Sequence, residues 1–176
     1  MKLLLKNPNV LLSGDEGFYI AQSDVYISGD CIVAVGFEPV NFVADKVIDC
    51  TGKLVMPGLV NAHTHGYMSL LRNMANDVPL DKWLFDCVFP REDMMTAEDC
   101  YWGTMLAIIE MIKTGTTCFN DMYLKFDSVI KAATDCGIRA MLGRGVADSP
   151  GAEYGRQGLV SALEHIEQMQ GNALIV

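Results

Sequence analysis

The chain changes rhythm about a third of the way along. Over its first 55 residues apolar and polar positions alternate in short runs, the period of half-buried strands. "KLLLKNPNVLLS" predicts a strand interrupted near Pro8, and "GDEG" predicts a turn. "SDVYISGDCIVAVG" predicts a hairpin around Ser28, Gly29 and Asp30, with Val25 and Ile27 alternating with polar neighbours. "KVIDCTGKLVMPG" predicts a further strand pair turning at Thr51 and Gly52. Residues 1–55 are therefore expected to form the portion of a small β-sandwich or partial barrel.

Beyond that point the spacing becomes helical. In "TAEDCYWGTMLAIIEMIKTG" the residues Tyr101, Met105, Ile108, Ile109 and Ile112 fall on one predicted face. Thr96 and Asp99 make a capping-box start, and Gly115 is placed to end the helix. The strand "TTCFNDMY" follows at once. The unit then recurs: helix "DSVIKAATDCG" and strand "IRAMLGRGV", then helix "GLVSALEHIEQMQG" and strand "NALIV". Helix, glycine and strand three times over predict an α/β fold with a parallel sheet. With "LVMPGLVNAHTH" as its first strand the sheet has four strands, half of an eight-stranded βα barrel of about 250 residues. Residues 56–176 are expected to be that N-terminal half, cut in strand four, because a parallel sheet ending in bare "LIV" is uncovered on one face.

Composition narrows the function classes. Half the residues are hydrophobic and a fifth are charged, as in an ordinary folded domain. The net charge is −9 with no run of Lys or Arg, which argues against nucleic acid and anionic membranes as partners. Neither a signal peptide nor an apolar stretch of spanning length is visible. Six scattered cysteines without a C-x-x-C pair read as reduced thiols of a cytoplasmic protein.

The candidate chemistry is His63-Thr64-His65, which follows an apolar strand and precedes Gly66. Alternate strand residues share a side, so the two imidazoles should project together with Asn61, while Ala62 and Thr64 face away. At the C-terminal end of a barrel strand they would point into the usual active-site position and could grip one divalent ion such as zinc. The plainer alternative is a pair of polar strand-end residues bonded to backbone or water. His165 is the only other histidine, off the apolar stripe Leu159, Ala162, Leu163 and Ile166 of its helix, and is expected to face solvent.

The block "VIDCTGKLVMPGLVNAHTHGYMSLLRNMANDVPLDKWLFDCVFPRE", followed by "TAEDCYWGTMLAIIEMIKTGTTCFNDMY", resembles the amidohydrolase superfamily. The likeness is closest to its 5-methylthioadenosine/S-adenosylhomocysteine deaminase and chlorohydrolase branch. It implies a metal-dependent (β/α)8 TIM barrel with a β-sandwich built from both chain ends. It also implies one zinc, or iron, held by His63 and His65 together with ligands from later strands, and a proton-shuttling glutamate expected beyond Val176. The implied reaction is metal-hydroxide attack on C6 of an adenosine-type purine with loss of ammonia. The 176 residues alone are expected to be an inactive fragment.

The resemblance also carries substrate-binding residues. Glu92, in "FPRE", matches a glutamate that holds the ribose hydroxyls, and Trp83, in "DKWLFD", matches a pocket-lining tryptophan. Arg144, in "LGRGV", and Arg156, in "EYGRQG", match arginines that hold the carboxylate of an S-homocysteinyl group. Each has a plainer reading: a loop charge for Glu92 and Arg156, an idle cation at a strand end for Arg144, and a core packer for Trp83. Asp121 faces the same rim and receives no role. A purine nucleoside substrate and a homo-oligomer are expected. A triazine chlorohydrolase, a guanine or cytosine deaminase, or a non-catalytic piece stabilised by association are the alternatives.

Overall fold

The computed structural model describes residues 1–123, 125–146 and 153–176, without the side chains of residues 153–157. They form two compact units, Met1–Pro57 and Gly58–Val176.

The first unit is all strand: β1 (Lys2–Lys6), β2 (Asn9–Gly14), β3 (Gly17–Gln22), β4 (Val25–Ser28), β5 (Cys31–Val35), β6 (Lys46–Asp49) and β7 (Leu54–Val55). One sheet has the order β5-β4-β1-β6 and the other β3-β2-β7. The chain leaves β1 for β2 at Asn7-Pro8. Asn7 takes a left-handed conformation and donates its N–H to Asp24 Oδ1, while proline has no donor to extend a ladder. The hairpin of β4 and β5 turns on Gly29 at φ +66° as expected. The expected pairing of "KVID" with "KLV" does not occur. The turn at Thr51-Gly52 hands the chain from one sheet to the other, where β6 pairs with β1 and β7 with β2, both in parallel. A two-residue β7 is too short to close a hairpin of its own. Strand β3 was not anticipated; its apolar residues Phe18 and Ile20 are exposed, so no buried face marks it.

The second unit is α/β. Strands β8 (Leu59–Thr64), β9 (Thr116–Tyr123) and β10 (Arg139–Arg144) form a parallel sheet in the order β10-β9-β8. Helix α3 (Ala97–Lys113) lies between β8 and β9, α4 (Phe126–Cys136) between β9 and β10, and α5 (Glu153–Met169) after β10. Before α3, a 3₁₀ turn (Gly66–Leu71) leads to α1 (Leu80–Lys82), a π-helical turn (Trp83–Val88) and α2 (Phe89–Glu92). The expected fourth strand is reduced to one parallel bridge, Ala140 to Ile175, but its backbone still bonds to β10 at Leu174 and Val176.

The core lies on one face of this sheet. Phe119 and Ala140 from the strands meet Cys100, Ala107 and Ile108 of α3 and Val129, Ala132 and Ala133 of α4. The capping box of Thr96 and Asp99 forms as expected, and Gly115 at φ +87° ends the α3 segment. The buried face of α3 is rotated from the expected one: Cys100, Gly103, Thr104, Ala107, Ile108 and Met111 are buried, while Ile109 and Ile112 are exposed. Small residues win because neighbours come too close for large ones. A Cβ on Gly103 would stand 2.7 Å from the carbonyl oxygen of Tyr67.

Helix α5 is also turned. Leu159, Leu163 and Ile166 are exposed, whereas the His165 side chain is only 12% exposed. Its ring lies 4.6 Å from that of Phe126 and its Nε2 is 3.2 Å from Asp127 Oδ1. The aromatic face and the carboxylate give imidazole a better seat than a branched aliphatic would find there.

Candidate metal and substrate site

The C-terminal ends of β8, β9 and β10 gather most of the side chains that the sequence singles out. At β8 the ladder to β9 is irregular, because Asn61 stands opposite Phe119 but Thr64 opposite Asp121. This slip breaks the expected alternation. Asn61 Nδ2 lies 3.8 Å from Met111 Sδ of α3, so Asn61 does not share the histidines' side. His63 and His65 do remain together, their ring centroids 5.1 Å apart at an interplanar angle of 85°.

His65 sits edge-on to Tyr123 at 5.3 Å, and Tyr123 stacks on Tyr67 at 3.5 Å. Among the described residues the Nδ1 atom of His65 is buried without a hydrogen-bond partner. Burial pushes both phenols far above the ordinary tyrosine range, so both stay protonated at any physiological pH. Close enough to act electrostatically on both phenols is Asp121, 2% exposed. Its Oδ2 accepts the Gly66 N–H at 3.0 Å and its Oδ1 the Met122 N–H at 2.8 Å. Burial raises its pKa, and the two N–H donors and both imidazoles oppose the rise.

Next to His65 opens a cavity of about 550 Å³. Trp83, Glu92, Tyr123 and Arg144 line it together with His65, over an apolar floor that includes Val88 and Phe89. Trp83 and Glu92 reach it from the two ends of one irregular helical stretch. Pro90 lacks an N–H, and the ladder ahead of it widens so that Phe89 donates to Leu84. Lys125 Nζ donates to the carbonyl oxygens of Glu92 and Met95 and ties the end of this stretch to the loop after β9. Burial raises the Glu92 pKa, while Tyr123, His65 and Lys125 hold it down. Among the described residues the Tyr123 hydroxyl is buried and has no hydrogen-bond partner of ordinary geometry, so its hold on Glu92 is one of proximity.

Of the six expected site residues, His65, Trp83, Glu92 and Arg144 thus meet at one cavity, with His63 against His65. The side chain of Arg156 lies outside the described residues. Among the described residues no group of three or more His, Cys, Asp or Glu could hold a metal. No helix among them is long and apolar enough to cross a membrane. Tyr67, Tyr123 and Lys125 were missed. Tyr123 was within reach of the sequence, since it stands two residues beyond Asp121 at a strand end that faces the rim.

Residues 54–173 match the Amidohydrolase family. Over 159 residues the chain is 46% identical to a 5-methylthioadenosine/S-adenosylhomocysteine deaminase of Thermoanaerobacter pseudethanolicus, covering 90% of this chain and 37% of that protein. A protein of the same name from Acetivibrio thermocellus is 50% identical over 149 residues, with 82% of this chain and 34% of the relative covered. The chain therefore spans little more than a third of these relatives. A zinc-bound adenosine deaminase structure from Xanthomonas campestris superposes with a TM-score of 0.86 at 33% identity, covering 98% of this chain and 41% of that one.

Proposed function

The chain belongs to the amidohydrolase family, and on that premise we propose that the complete protein is a metal-dependent aminohydrolase of adenosine-type thioethers, 5-methylthioadenosine and S-adenosylhomocysteine. The observation that carries this reading is the meeting of His65, Trp83, Glu92 and Arg144 at one cavity of about 550 Å³. The names of the relatives support the substrate class. The parallel order β8-β9-β10 with intervening helices supports residues 56–176 as the first half of a (β/α)8 barrel, and the strands of residues 1–55 support a β-sandwich portion. Six free thiols fit a reducing cytoplasm.

His63 and His65 would hold one divalent ion, zinc or iron. The fit rests on two adjacent imidazoles, one with a buried nitrogen that lacks a hydrogen-bond partner among the described residues. When bound, the ion would supply Lewis-acid chemistry that makes hydroxide available near neutral pH. Two imidazoles are fewer than the three protein ligands usual at a catalytic zinc. The activity is therefore assigned to the complete protein and not to these 176 residues.

The chain's own residues bind and orient. Glu92 accepts hydrogen bonds from the two ribose hydroxyls, which a carboxylate can do at once. Arg144, with Arg156, pairs with the homocysteine carboxylate in the directional manner of a guanidinium. Trp83 packs against the nucleoside and excludes water. A neutral triazine or guanine offers no carboxylate to such arginines, which favours the thioether reading.

The test is ammonia release from S-adenosylhomocysteine by the complete protein, followed together with the conversion of its adenine absorbance to that of hypoxanthine. Turnover should vanish on chelation and return with zinc. His65→Ala should lower kcat/KM by at least ~10³-fold, more than the 10- to 100-fold typical of losing an outer partner of a ligand. Inertness toward both thioethers, with turnover of a triazine or of guanine instead, would move the protein to another branch.

A further inference from the structure

Among the described residues Asp121 is the only carboxylate that is fully buried. Burying a charge is costly unless it is well bonded, and here both oxygens are occupied by backbone donors. One donor is Met122, its neighbour in β9. The other, Gly66, is 55 residues away and immediately follows His65. We propose that Asp121 is the positioning residue of the imidazole pair: its carboxylate pins the turn after His65 onto β9 and thereby sets where the two rings stand toward a divalent cation. The proposal rests on the metal reading given above.

The local backbone explains why a side chain has this task. The β8 ladder slips between Asn61 and Thr64, so it passes over His63 and ends at Thr64, just before His65. His65 itself has φ −131° and ψ 79°, and the chain turns at once into the 3₁₀ segment, with the Met68 N–H bonded to the His65 carbonyl. The last ladder pair is Thr64 with Asp121, and the bond from Gly66 to Asp121 carries that attachment past His65. The packing there is selective as well. A Cβ on Gly66 would stand 2.9 Å from Asp121 Oδ2 and 3.5 Å from Thr104 Cγ2, so glycine is what lets the turn approach. An amide in place of the carboxylate would offer one acceptor oxygen to two N–H donors and leave one of them buried and unpaired.

The experiment uses the complete protein, with Co²⁺ as the spectroscopic probe and hydrogen exchange of the segment that contains Gly66. Asp121→Asn should weaken Co²⁺ binding about 10- to 100-fold, as loss of an outer partner does, and should speed exchange in that segment or at Met122. Gly66→Ala reaches the same turn from the other side and serves if Asp121→Asn folds poorly. It should weaken Co²⁺ binding to a similar degree with β9 unchanged. A purely structural role would lower Tm and leave the Co²⁺ affinity of the folded protein as it was, which would overturn the proposal. If the unaltered protein takes up no Co²⁺, the metal reading itself fails. Exchange at Gly66 then decides, and unchanged exchange in both variants would sink the positioning role too.

Discussion

The two faces of the β8-β9-β10 sheet differ sharply. On one, Phe119 and Ala140 are buried under α3 and α4. On the other, Met122 is 49% exposed and Met141 56%, although parallel strands are apolar on both sides because both are normally covered. The closed face is a packed scaffold in which small residues fix how near the helices come. The open face carries the apolar residues of the proposed barrel interior. The candidate chemistry sits on neither, but along the rim where strands of both characters end. Rigidity comes from one side of the sheet and recognition from its edge, so changes at the two places should be separable in experiment.

The largest separable effect is expected at the rim. Arg144→Met in the complete protein should lower kcat/KM for S-adenosylhomocysteine about 100-fold, or ~2.8 kcal/mol at 1.4 kcal/mol per tenfold. It should change 5-methylthioadenosine turnover little, since that substrate has no carboxylate for the guanidinium to bind. Equal losses on both substrates would mean that Arg144 supports the cavity and does not read the anion. The next effect belongs to the scaffold. Gly103→Ala gains roughly 1 kcal/mol of helix propensity, but the new methyl meets backbone atoms of Tyr67 and the side chain of Leu70. Overpacking against backbone costs about 1–3 kcal/mol, so the net change should be a lower Tm. An unchanged Tm would show that the 3₁₀ turn yields and is not part of the rigid side.

What could be read from the sequence was local in character. The capping box lies within four residues, and the hairpin turns on a single glycine at positive φ. The pairing of His63 with His65 needed only the sense of a strand and its end. What could not be read depends on partners far along the chain. The residues "KVID" and "KLV" join different sheets because β1 and β2 claim them. The face that α3 buries was set by Tyr67, more than thirty residues earlier, and not by its largest aliphatics. The pattern of its own helix points His165 to solvent, because nothing in that helix signals Phe126. At the site, Glu92, Arg144 and Trp83 came from resemblance, and their convergence on one cavity required the fold. Asp121 was visible as a rim residue, but its bond to Gly66 was not.

The smallest effect expected lies at the start of α3, where a capping box closes the exposed end of the helix. Asp99 accepts from both the backbone N–H and the hydroxyl of Thr96, at 2.8 and 2.7 Å. These bonds, with a contribution from Lys125, hold its pKa below the ordinary aspartate value despite some desolvation. A depressed folded pKa means that the unfolded chain takes up the proton first. The contribution is therefore fully present above about pH 4, the ordinary aspartate value, and is lost as pH falls through the folded pKa. Asp99→Asn cannot titrate, so it should be slightly less stable than the parent at neutral pH and should lose less stability on acidification. Asp49, Glu110 and Asp135 are also depressed, by Thr51, Arg72 and Lys131 respectively, and titrate in both proteins. The difference between the two Tm-against-pH curves thus isolates the cap. Curves that run parallel down to pH 3 would show that the capping box contributes geometry to the helix start and no charge-dependent stability.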